Sequence, residues 1–230
     1  MSKIWFTSDW HFGHDKSFLY EPRGFSSIAE ANEVIMNKHN ELVSNDDEVY
    51  VLGDLMLGDN NENIEYIKRM NGRLHIIIGN HDTSERIKKY KECSNVVSVL
   101  YADRIKWKKW SIYVSHCPMI VAHNEEAPKL WNFHGHTHSK EKFSDIPHCY
   151  NVALDAHNCY PIEIEQIEEI KWYHYQTDCC QSDYIDVRKF VNCKKFISIC
   201  KWSEGSSSGD VYQPEIHYPP NVEEIIHYAF

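Results

Sequence analysis

The stretch RLHIIIGNHD, residues 73–82, decides the fold. An apolar run with three consecutive isoleucines stops at Gly79 and gives way at once to Asn80, His81 and Asp82. A short apolar run bounded by glycine predicts a buried strand, and here its end sets an amide, an imidazole and a carboxylate side by side. Two upstream runs have the same form. KIWFTS (3–8) leads into Asp9, and EVYVLG (48–53) leads into Asp54. Between those two, SSIAEANEVIMNKHNELV opens on serine, carries Glu30 shortly after, and lines up Ile28, Ala31, Val34, Ile35 and Leu42 on one helical face. A second helix is expected near residues 61–70. Strand, helix, strand, helix, strand predicts parallel βαβ units in an α/β domain.

From Val96 the texture changes to short strands joined by turns, in VVSVLYADRIKWKKWSIYVSH and then LWNFHGH and YNVALD. A fourth strand ends at His116 and a fifth at the run Gly135, His136, Thr137, His138. Sites in α/β sheets gather at the carboxyl ends of strands, so this repeated polar ending is the main functional signal. In NFHGHTHSK (132–140) alternation would put His134, His136 and His138 on one face of an extended chain. RIKWKKW (104–110) mixes basic and aromatic residues as a nucleic-acid surface does. A hairpin with one solvated basic face explains it more simply.

The formal charge is −10, from 24 Lys+Arg against 34 Asp+Glu, which argues against wrapping long nucleic acid by charge. No basic-then-apolar leader and no run of membrane-spanning length is seen, and eight scattered cysteines fit reduced thiols in a cytoplasmic protein. Residues 171–230, with a Ser/Gly loop, a Pro pair and Cys179, Cys180, Cys193 and Cys200, are read as an extension beyond a domain of residues 1–170. The adjacent cysteine pair does not match zinc-ribbon spacing.

Asp9, His11, Asp54, Asn80, His81, Asp82, His116, His136 and His138 together have the composition of a binuclear transition-metal site. Carboxylate, amide oxygen and imidazole suit Mn²⁺, Fe or Zn²⁺ without help from cysteine, and one carboxylate can bridge an ion pair that polarises a phosphate. Gly53, Gly79 and Gly135 each precede a ligand, where a sharp turn is expected to aim the side chain off a strand end.

In order, DWH (9–11), GD (53–54), GNHD (79–82), His116 and GHTH (135–138) resemble the calcineurin-like metallophosphoesterase superfamily, and its compact bacterial and phage-type members most closely. The resemblance implies a four-layer α/β sandwich, two mixed sheets packed face to face with helices outside, over residues 1–170. It implies one ion held by Asp9, His11, Asp54 and His138, and another by Asp54, Asn80, His116 and His136. Two divalent transition-metal ions follow, Mn²⁺ favoured, with Fe, Zn²⁺ or Ni²⁺ admitted. His81 would act beside the leaving group as catalytic acid, and Asp82 would orient His81 or a ligand histidine. His14 and Arg23 are candidate substrate contacts. Leu55, Met56 and Leu57 depart from the polar residues that many members carry after Gly-Asp.

The implied activity is hydrolysis of a small or nucleotide-derived phosphodiester by a metal-bridging hydroxide. A phosphomonoesterase is the alternative within the enzyme class. The rival from outside it is a protein-interaction scaffold on the same fold, as in a retromer subunit. Retention of His81 and all seven ligand positions favours the enzyme. The partners expected are a phosphoester substrate and, for the tail, a protein.

Overall fold

A computed structural model describes residues 2–121, 129–143, 146 and 148–167, with two further short strands at 199–200 and 216–217. Strand β1 (Ile4–Thr7) is followed by α1 (Ser17–Tyr20), α2 (Ile28–Leu42), β2 (Glu48–Val51), α3 (Asn60–Arg69), β3 (Arg73–Ile77), α4 (Ser84–Lys91) and β4 (Val96–Leu100). Then come β5 (Ala102–Trp107), β6 (Trp110–Ser115), β7 (Leu130–His134), β8 (Cys149–Asn151) and β9 (Ile162–Glu163). One sheet has the order β4-β3-β2-β1-β9, parallel except where β9 runs against β1. The other has the order β5-β6-β7-β8, antiparallel at β5/β6 and parallel beyond. Both sheets are mixed, as expected.

Alternation along the strands divides the interior in two. Trp5, Val49, Val51, Leu74 and Ile76 join Ala31, Ile35 and Met36 of α2, Ile64 and Ile67 of α3, and Tyr90 of α4 in one core. Phe6 points the other way, edge-on to Phe133 of β7 with ring centres 5.0 Å apart, and stacks on Tyr50 at 5.5 Å. Helices therefore cover one face of the five-stranded sheet and the second sheet packs on the other. Leu55 and Met56 are fully buried in the helical core, which accounts for their apolar character after Gly-Asp.

Local chemistry sets the helix starts. Ser27 caps α2 by accepting from the Glu30 N–H, Asp59 caps α3 through Asn61 and Glu62, and Thr83 caps α4 through Arg86. The buried face of α2 differs from the expected one. It holds Ala31, Asn32, Ile35, Met36 and His39, whereas Leu42 is exposed. Asn32 and His39 lie inside on partners distant in sequence, although the buried His39 Nδ1 has none. Asn32 accepts from the Gly13 N–H at 3.2 Å, and His39 Nε2 meets the Asn71 carbonyl at 2.9 Å. A hydrophobic count does not see such residues.

The basic stretch is the β5–β6 hairpin, turning at Lys108 and Lys109, with Arg104 and Lys106 exposed and Ile105 buried. Among the described residues no helix is long and apolar enough to cross a membrane. Contacts divide the chain into residues 1–168 and 169–230. Within the second unit, β10 (Ile199–Cys200) pairs antiparallel with β11 (Ile216–His217). Cys179, Cys180 and Cys193 lie outside the described residues, as does the side chain of Cys200. Cys93, Cys117, Cys149 and Cys159 form no disulfide.

Candidate metal centre

The loops after β1 and β2 run side by side: the N–H groups of Asp9, His11 and Phe12 donate to the carbonyls of Gly53, Asp54 and Leu55, each at 3.0 Å. Side chains reach the centre because the backbone is left-handed at Asp9 (φ 60°), His11 (53°), Asp54 (55°), His136 (67°) and His138 (48°). Five of the seven expected ligands thus occupy a conformation that costs a non-glycine residue about 1 kcal/mol or more. Such strain persists only where the surroundings over-determine it.

The glycines play a different part from the one expected. Gly53 does turn with φ 94°, but Gly79 and Gly135 do not have positive φ. They supply clearance. A Cβ at Gly79 would strike Asp54 Oδ1, and one at Gly135 would strike Ser8 Oγ and Asp9 Oδ2. The alternation expected for the histidine run also gives way. Strand β7 ends at His134, and the left-handed turns at His136 and His138 send those two side chains to different places.

Two groups of donor atoms result, and they meet at Asp54. In the first, His11 Nε2 and His138 Nε2 are 3.1 Å apart, with Asp9 Oδ1 at 3.8 and 3.6 Å from them and Asp54 Oδ2 at 3.9 Å from His11. In the second, Asn80 Oδ1 lies 2.8 Å from both His116 Nε2 and His136 Nδ1, which are 3.2 Å apart. Asp54 Oδ2 is 3.3 Å from His116. Nitrogen and oxygen lone pairs converge at each point, and Asp9 Oδ1, fully buried, has no hydrogen-bond partner. An orphaned buried carboxylate oxygen facing two imidazoles fits a divalent cation.

The electrostatics agree. Burial pushes Asp9 above the usual carboxylate range, despite the pull of His138 and the Ser8 hydroxyl. Burial pushes His11 down to about 2. For His116 burial is outweighed by the Asp54 hydrogen bond and the charge of Asp9, which lift it to about 9. The arrangement calls for positive charge between these carboxylates, whatever carries it.

Further residues hold the ligands in place. Asp155 Oδ2 accepts from His138 Nδ1 at 2.9 Å, which leaves Nε2 as the free nitrogen at the centre. Arg23 forks onto both Asp155 oxygens at 2.9 and 2.8 Å and donates to the Asp9 carbonyl at 3.0 Å. Its side chain is only 3 % exposed. The structure therefore gives Arg23 a positioning place behind the ligands, in contrast to the phosphate contact expected of it. Asp82 likewise turns away from His81. It accepts from the Asp54 and Gly79 N–H groups at 3.0 and 2.8 Å and from the Tyr90 hydroxyl at 2.7 Å. The His116 ring is fixed by a 2.8 Å contact to the Leu52 carbonyl.

His81 is 43 % exposed, its Nε2 4.0 Å from Asp54 Oδ2. Its main chain is pinned at both ends, the N–H donating to Asp54 Oδ1 and the carbonyl accepting from Arg86. The His14 ring centre stands 5.4 Å from that of His11 and 6.3 Å from that of His81. Burial, with help from the nearby His81, holds its imidazole below the usual histidine range. His134 is buried against the Gly135 carbonyl at 2.9 Å and is not among the converging donors.

Two residues were not singled out from the sequence. Asp155 was within reach of the same rule, since it too follows an apolar run, in YNVALD. Phe18 had no such signal. Its ring is 71 % exposed and stands edge-on to His14 with centres 5.9 Å apart, at the rim of the centre.

Comparison with known proteins bears on this geometry. "Uncharacterized protein MJ1445" of Methanocaldococcus jannaschii is 28% identical over 183 residues, 74% of this chain and 92% of that protein. "Gene 66 protein" of Mycobacterium phage L5 is 29% identical over 186 residues, 68% of this chain and 88% of the phage protein. A solved structure, the protein of unknown function AQ665 from Aquifex aeolicus, shares the fold with a TM-score of 0.59 and 22% identity, covering 74% of this chain and all of that one. The family profile for calcineurin-like phosphoesterases matches residues 2–194. Since that match takes in most of the sequence, both sheets and every converging donor, the chain belongs to the calcineurin-like phosphoesterase family.

Proposed function

We propose that the chain hydrolyses a small or nucleotide-derived phosphodiester at a two-ion centre. One observation carries the reading. Asp54 stands between two separate sets of converging donors, with the exposed imidazole of His81 beside them. When bound, two divalent cations supply Lewis acidity toward a phosphate oxygen and lower the pKa of water to near neutrality.

The chain's own residues do the rest. Asp9, His11 and His138 would hold one ion, Asn80, His116 and His136 the other, and Asp54 both. Asp155 and Arg23 keep His138 and Asp9 in register, so little rearrangement is needed when substrate arrives. His81 lies on the open side, where its imidazole can stabilise charge on the phosphate or give a proton to the departing alkoxide. Monoester and diester both release an alkoxide, so that proton serves either substrate. The His14 imidazole, beside His11 and His81, can hydrogen-bond a substrate oxygen. Phe18 offers a free aromatic face at the rim, which suits a nucleobase.

The test is hydrolysis of bis-p-nitrophenyl phosphate by protein stripped with chelator and restored with Mn²⁺. Turnover is expected to require metal and to vanish in Asp54→Asn. Folded protein that holds two ions and cleaves only p-nitrophenyl phosphate would make the enzyme a monoesterase. Failure to hold metal at all would leave a scaffold.

A further inference from the structure

The two donor sets differ in one respect that the sequence pattern does not call for. Cys117 follows His116 directly, and its Sγ lies within 4.8 Å of a ring nitrogen of His116 and of one of His136. With metal–sulfur near 2.3 Å and metal–nitrogen near 2.0 Å, neighbouring sulfur and nitrogen ligands of one ion sit about 3–3.5 Å apart. A small side-chain adjustment spans that difference. The point it would reach is already marked by three independent donors, since Asn80 Oδ1 is 2.8 Å from each imidazole nitrogen.

The backbone around Cys117 is held in place. Its carbonyl accepts from the Ser115 hydroxyl at 2.7 Å, and that hydroxyl accepts from Asn132 Nδ2 at 2.8 Å. Asn132 Oδ1 in turn accepts from the Met119 N–H at 2.9 Å. Of the other cysteines whose side chains are described, Cys93, Cys149 and Cys159 are buried, with Cys93 Sγ against the Lys89 carbonyl and Cys149 Sγ against the Met119 carbonyl. Cys117 is the exposed one, and it faces the centre.

We propose that Cys117 is a ligand of the ion held by His116 and His136, an inference that rests on the metal reading above. As the sulfur–metal bond forms, the thiol proton passes to solvent. A thiolate makes this position softer than its neighbour, whose donors are Asp9, His11, Asp54 and His138. The centre is then asymmetric. The Cys117 position prefers Zn²⁺, Co²⁺ or Cd²⁺, and the other accepts Mn²⁺ or Fe.

Co²⁺ reads this directly. Full-length protein, stripped and titrated with Co²⁺ alone, is expected to develop a near-ultraviolet sulfur-to-cobalt charge-transfer band along with visible ligand-field absorption. Cys117→Ser is expected to lose the band and keep the visible absorption. X-ray absorption of the wild-type Co²⁺ protein, which needs no variant, is expected to show a sulfur scatterer. Visible absorption without the band or the sulfur overturns the inference and leaves the two-ion centre standing. A band that persists in Cys117→Ser assigns the sulfur to another cysteine and also overturns it. Absence of any bound Co²⁺ overturns the metal reading itself.

Discussion

At the scale of single residues, what distinguishes this centre is how each imidazole is aimed from behind. Imidazole binds metal through one nitrogen, and the partner of the other decides which. For His138 that partner is Asp155, itself clamped by Arg23. Asp155→Asn removes the charge but keeps the shape. It is expected to weaken metal binding at the Asp9/His11/His138 position by about 10- to 100-fold while leaving the other position filled, as metal titration of the folded protein would show. Equal loss of both ions would mean that Asp155 acts only on the fold. Phe18 has the opposite character, since it touches no donor. Phe18→Ala is expected to raise KM for a nucleotide diester about tenfold with kcat little changed, and to leave methyl p-nitrophenyl phosphate untouched, in keeping with about 1–3 kcal/mol for stacking one base. A matching loss on the methyl ester would place Phe18 outside base recognition.

At the scale of elements, the paired loops after β1 and β2 and the turn after β7 approach so closely that a side chain cannot enter between them. Gly135 shows this best. Its backbone is not left-handed, yet a Cβ there would meet Ser8 Oγ and Asp9 Oδ2. Gly135→Ala should destabilise the fold by about 1–3 kcal/mol through overpacking, and should reduce metal binding at Asp9 more than at Asn80. Urea unfolding and metal titration check the two parts separately, and an unchanged midpoint would show that Ser8 can move aside. Elements also explain why some expectations failed. Buried polar groups on α2 are invisible to a periodicity count, because Asn32 Oδ1 and His39 Nε2 find their partners at Gly13 and Asn71, far along the chain.

For the molecule as a whole, buried neutral histidines tie stability to pH. His39 is held down to about 4 by burial, only partly relieved by its bond to the Asn71 carbonyl. His157 is held down to about 4 in the same way, against the Asn151 carbonyl. Unfolded histidine titrates near 6.5, so below that pH the unfolded chain binds protons that the folded one refuses. This part of the stability is complete above pH 6.5, falls as the pH drops and levels off below about 4. At pH 5 His39 alone should cost about 2 kcal/mol relative to neutral pH. Urea unfolding at pH 7 and pH 5 should show a smaller loss in His39→Gln than in the wild type. Parallel losses would rule His39 out as the source.

The order of chemistry-bearing residues along the chain was enough to fix the family, the two mixed sheets and the set of converging side chains. Each of those side chains follows the end of one of five strands, and strand ends are legible from short apolar runs. What lies behind the centre was not legible. Arg23 reads from its neighbours as a loop arginine, and it takes its place between Asp155 and Asp9 only when chain segments 132 and 14 residues away come together. Asp82 lies beside His81 in sequence yet serves Asp54, Gly79 and Tyr90. The nearness of Cys117 to His136 appears only once β6 and β7 lie side by side. Local pattern reports which residues a strand delivers to its end. Only tertiary structure decides which of them meet, because hydrogen bonds and ligand sets close between segments whose separation in sequence carries no signal.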